Sequence, residues 1–64
     1  MKTSPEYELA FNFVKEHHEN DEAISNHNLA DLFDNARDKN LSIYEVETHV
    51  RQLAKQYKVK MVKK

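Results

Sequence analysis

No cysteine occurs in the 64 residues, so neither a disulfide framework nor a thiolate metal site is available. Glycine is absent as well. That excludes a glycine-rich phosphate loop and disfavours tight hairpins with positive φ, although asparagine can substitute. No apolar run approaches the length of a membrane span, and the start, MKTSPEYELA, lacks the apolar stretch of a signal peptide. These absences predict a soluble, cytoplasmic protein. A chain this short predicts one domain, residues 1–64, with a limited core.

Charge is plentiful, at 33% of the residues, and suits a small helical domain. The net charge is −1, but it is unevenly spread. Residues 1–34 hold two lysines against eight acids, a balance of −6; residues 35–64 hold eight lysines and arginines against three acids, a balance of +5. Either one face attracts an anion, or the two halves neutralise each other across the fold.

The stretch TSPEYE marks a helix start, with Ser4 as N-cap, Pro5 in the first helical position and acids in the first turn. Tyr7, Ala10, Phe13, Val14 and His17 then recur at helical spacing, flanked by Leu9 and Phe11, and predict a helix over 5–18. ENDE ends it. Ile24 is a lone aliphatic before a capping Ser25 or Asn26. Leu29, Leu32, Phe33 and Ala36 share one face of a second helix over 26–37. After the turn RDKN, Ser42 and Glu45 have capping-box spacing, and a third helix over 42–57 follows, with Ile43, Val46, Val50, Leu53 and Tyr57 inward. In KVKMVKK, Val59 and Met61 alternate with Lys58 and Lys60, which reads as a short strand over 58–62 or as a frayed helix end with a basic tail. The most buried side chains should be Phe13, Leu32, Phe33, Val46, Val50 and Leu53.

With AISNHNLADLF leading into the second helix and LSIYEVETHVRQLAKQYKVKMV forming the third helix and a basic strand, the chain resembles the winged helix-turn-helix family. The resemblance implies a mainly α, three-helix helix-turn-helix domain with a short strand near Ile24 and a C-terminal strand. It also implies that the third helix enters the major groove of DNA. A full wing needs two strands after that helix. The sequence offers one, so a truncated winged helix is the expectation.

On a helical wheel with Val46 at the origin, Tyr44, Thr48, Arg51 and Lys55 fall at roughly 140–200°. This row opposes the core. Arginine can bond guanine edges, threonine a base or phosphate, and lysine neutralises phosphate. Lys58, Lys60, Lys63 and Lys64 extend the positive field. Glu45 and Glu47 flank the row and would repel phosphate, and an ordinary exposed helix face carries the same residue types.

DNARDKNLSIYE admits another reading, because it resembles the loop of the EF-hand family. Asp34, Asp38, Ser42 and Glu45 fall at the first, fifth, ninth and twelfth positions of such a loop. Ala36 at the third offers no ligand, and Lys39 stands where the sharp turn takes glycine. The bland roles are a capping box for Ser42 and Glu45 and a turn former in Asp38. Of the histidines, His17 should edge the core, and none has the spacing of a helical zinc pair. Ser25 and Ser42 read as caps rather than nucleophiles, so no enzyme and no cofactor are expected.

The sequence thus predicts a small bacterial or phage regulator that binds duplex DNA through Tyr44, Thr48, Arg51, Lys55, Lys58 and Lys60. The alternative is a small protein that binds and modulates another protein. A homodimer is compatible with either. The discriminating feature is whether acids interrupt the basic surface.

Overall fold

The computed structural model describes residues 4–62 and is mainly helical. Three helices follow one another: α1 Pro5–Glu19, α2 Asn26–Asp38 and α3 Ile43–Tyr57. Each starts from a serine. The hydroxyl of Ser4 accepts the Tyr7 N–H at 3.2 Å, that of Ser25 the Asn28 N–H at 3.2 Å, and that of Ser42 the Glu45 N–H at 3.4 Å. These bonds satisfy amides that the first helical turn leaves without partners. The other half of the Ser42 capping box comes from an unexpected quarter. The Ser42 N–H donates to Glu6 Oε2 of α1 at 3.4 Å, so a neighbouring helix supplies the carboxylate expected from Glu45.

All three helices also end alike, and without glycine. Asp21, Asn40 and Lys58 take left-handed backbone, with φ of 57°, 60° and 59°. In each case the next residue's N–H folds back onto a carbonyl of the last turn: Glu22 to His17 at 2.9 Å, Leu41 to Ala36 at 2.8 Å, Val59 to Ala54 at 2.8 Å. This is the Schellman arrangement, which glycine ordinarily serves.

α1 packs chiefly on α3, and α2 lies less extensively against both. The core joins Ala10 and Val14 of α1, Leu32 and Ala36 of α2, and Val46, Val50, Leu53 and Ala54 of α3. Ile24, on the link between α1 and α2, is also fully buried. The three small alanines let the helix backbones approach closely. Phe13 and Phe33, expected at the centre, are only half-buried and pack on its margin. Their places are taken by Val14, the next residue of α1, and by Ala36, three residues further along the same face of α2. Along the α1–α3 seam, the Tyr7 ring meets His49 edge-on at 5.3 Å and Phe11 meets Tyr57 at 6.3 Å.

His17 is 8% exposed. Its Nδ1 lies 2.9 Å from the Phe13 carbonyl oxygen, which can only accept, so Nδ1 carries the hydrogen. Nε2 then accepts from the Asn28 side-chain amide at 3.2 Å. Both ring nitrogens thus have partners, and the ring ties α1 to the first turn of α2.

The two expected strands do not form as strands. Among the described residues there is one isolated parallel bridge, between Ile24 and Met61. The Ile24 N–H donates to the Lys60 carbonyl at 2.8 Å, and the Val62 N–H donates to the Ile24 carbonyl at 2.7 Å. The reason is a shortage of free backbone. Glu22 is committed to closing α1 and Ser25 to opening α2, while Val59 closes α3. On the first link only Ala23 and Ile24, and after α3 only the residues past Val59, are left to pair. The stretch from Asp34 to Glu45 is likewise no twelve-residue loop, because Asp34 and Asp38 lie within α2 and Glu45 within α3. Among the described residues, no three histidine or carboxylate side chains group to hold a metal ion. Nor is any described helix long and apolar enough to cross a membrane.

Candidate functional site

α3 carries its polar row on the solvent side because Val46, Val50 and Leu53 turn the opposite face inward. Tyr44 is 78% exposed. Thr48, Arg51, Lys55, Lys58 and Lys60 are all exposed too. The row therefore exists as a surface, but two of its polar side chains, Thr48 and Arg51, are already engaged. The Thr48 hydroxyl donates to the Tyr44 carbonyl at 3.0 Å, within the helix. The Arg51 guanidinium donates to Glu47 Oε2 at 2.9 Å. An exposed pair four residues apart on a helix stabilises by only about 0.3–0.5 kcal/mol, so a stronger partner for Arg51 could break it. The Glu47 charge would nevertheless stay beside any approaching phosphate.

The sum of charge along α3 makes the same point. Glu45 and Glu47 offset Arg51 and Lys55. Lys58 and Lys60 line an opening of about 340 Å³ that they share with Asp21 and Glu22. The acidic end of α1 thus lies beside the basic segment that follows α3. Of the two charge arrangements open from the sequence, this geometry favours mutual neutralisation. Lys63 and Lys64 lie outside the described residues.

A second feature was not anticipated. Between α2, α3 and the C-terminal segment runs a groove of about 560 Å³. Leu29 and Phe33 form one apolar wall and Met61 and Val62 another, while the bonded pair Glu47 and Arg51 lies at its rim. Met61 is 38% and Val62 41% exposed, high values for large apolar side chains in so small a molecule. The signal was present in the sequence. Leu29, Leu32, Phe33 and Ala36 form a stripe wider than the core uses, and Val62 breaks the alternation of Val59 and Met61.

No protein-family model matches the chain, and neither a curated protein nor a solved structure matches it. The functional reading therefore stands on the geometry.

Proposed function

We propose that the molecule is a protein-docking domain, a small helical scaffold that binds and modulates a partner protein through the groove between α2, α3 and the C-terminal segment. The observation that carries this reading is the pair of apolar walls. Leu29 and Phe33 are left half-covered and Met61 and Val62 exposed, whereas the charges of the neighbouring α3 face largely cancel. Burying such walls against a partner removes apolar surface from water, which is the main favourable term in association. No catalytic step is part of this reading.

A second reading has a specific observation behind it. Tyr44, Thr48, Arg51 and Lys55 do stand exposed in one row, followed by Lys58 and Lys60. With the helix order and the Ile24–Met61 pairing, that row supports a truncated winged helix-turn-helix regulator with α3 against duplex DNA. Two glutamates on α3 and two acids beside the lysines make it the weaker of the two, since each acid offsets a phosphate contact.

Site-directed photo-cross-linking in cells of the native host separates the readings. A photoreactive amino acid is placed singly at Ala30 or Val62, in the groove, or at Tyr44 or Lys55, on the outer face of α3. All four positions are exposed, so the fold should tolerate the change. The docking reading predicts a nuclease-resistant protein adduct of one mass from Ala30 and Val62, and none from Tyr44 and Lys55. Nuclease-sensitive adducts from Tyr44 and Lys55, with none from the groove, would reverse it.

A further inference from the structure

The outer wall of the groove is held by little backbone. Val59 is half-buried, and its N–H closes α3 on the Ala54 carbonyl. Past it, Lys60, Met61 and Val62 are all exposed. Among the described residues, two hydrogen bonds hold these three, and both go to Ile24. The Lys60 carbonyl accepts from the Ile24 N–H, and the Val62 N–H donates to the Ile24 carbonyl. The Met61 N–H takes no part, because the middle residue of a parallel bridge bonds through its neighbours.

Ile24 is in the opposite situation. It is fully buried, backbone included, so its N–H and C=O need partners, and the C-terminal segment supplies both. That burial couples the two bonds. If one breaks while the segment stays in place, a buried polar group is left unpaired, which costs more than a typical bond gains. If both break and the segment swings away, water reaches Ile24 and serves both groups. Fully closed and fully open are therefore the two states without an orphaned group. Val59 anchors the near end on Ala54, so opening leaves α3 intact. The open state, however, has no groove. Met61 and Val62 are one of its walls, and without them Leu29 and Phe33 stand on an open face.

We propose that residues 60–62 form a strap latched at Ile24, which opens as a unit and by opening dismantles the groove, so that only the closed strap docks a partner. The docking role rests on the reading of the groove as a docking surface. A partner that fits the closed groove alone holds the strap shut by binding one of two states.

Native-state hydrogen exchange on the ¹⁵N-labelled full chain and two variants tests the strap. Val62→Pro removes the N–H that bonds the Ile24 carbonyl and sets a ring in its place. Met61→Pro removes an N–H that the latch does not use. In the native chain, the Ile24 and Val62 amides should share one protection factor, at least about ten-fold below that of Val50 in the core. Low denaturant should leave that factor unchanged while lowering that of Val50, because opening the strap exposes little surface. Val62→Pro should cut the protection of Ile24 about ten-fold, the effect of one lost bond, and Met61→Pro clearly less. Unchanged shifts across the three helices would show that both variants fold. Ile24 protected as strongly as Val50 would overturn the strap, whether Val62 is protected or frays alone. Equal losses in the two variants would overturn the latch. Photo-cross-linking from Ala30 then reads the docking role, and Val62→Pro should abolish most of the adduct. An undiminished adduct would overturn that role and leave the docking reading intact. No adduct from the native chain would remove the docking reading and that role together, and exchange at Ile24 still decides the strap.

Discussion

Lys58 holds a conformation that its side chain does not favour. A left-handed backbone costs an ordinary L-residue about 1–2 kcal/mol, and asparagine and aspartate less, because their short side chains bond locally. Asn40 and Asp21 are therefore the cheaper of the three left-handed positions, and Lys58 the dearest. Lys58→Gly should raise stability by up to about 1 kcal/mol, after the extra freedom glycine has in the unfolded chain is set against the relief. For a domain of this size that is several degrees in Tm, roughly 4–8 °C per kcal/mol, and a thermal melt reads it directly. A fall in Tm would mean that α3 does not end in this way. Residues also mark where sequence reading stops. The absence of glycine argues against positive φ, and Asn40 fits the allowance made for asparagine. Nothing about Lys58 announces a left-handed turn, because that turn is imposed by Val59 reaching back to the core.

The helices were the most legible elements, because their start signals are local. Ser4 with Pro5, Ser25, and Ser42 each act within three residues, and the observed helices begin where those signals put them. Pairing between elements is not local, and there the reading was partial. That Glu6 rather than Glu45 reaches the Ser42 N–H depends on how α1 crosses the start of α3. Ile24 and Met61 were both seen as apolar residues in extended segments, but the single bridge between them follows from how much backbone the neighbouring caps consume. That bridge gives Ile24 a double role, as a fully buried side chain and as the backbone partner of the C-terminal segment. Ile24→Ala should cost about 2–5 kcal/mol, the range for a large aliphatic cut back in a core. Phe33→Ala, on the half-open groove wall, should cost less, about 1–2 kcal/mol, in proportion to its partial burial. Chemical denaturation of both variants checks the order. If Phe33→Ala proved the more damaging, Phe33 would belong to the core and the groove would lose a wall.

Across the whole molecule, the opposition of an acidic first half and a basic second half was plain in the sequence, but its consequence was not. Folding sets Asp21 and Glu22 beside Lys58 and Lys60, and Glu47 on Arg51, so positive charge that looks concentrated along the chain is diluted in space. The exposed row of α3 was legible because wheel geometry is fixed by helix pitch. The groove was legible only as surplus apolar residues, because it is made by three elements that meet only in the fold. On the proposed reading this groove, and not the outer face of α3, is the working surface. A titration of the ¹⁵N-labelled chain with mixed-sequence duplex DNA at low ionic strength, where attraction to phosphate is greatest, tests it most directly. No saturable shifts are expected at Tyr44, Thr48, Arg51 or Lys55, and at most weak, non-saturating movement at Lys58 and Lys60. Saturable shifts along the α3 row that weaken steeply as salt is added would contradict that reading and make duplex DNA the partner.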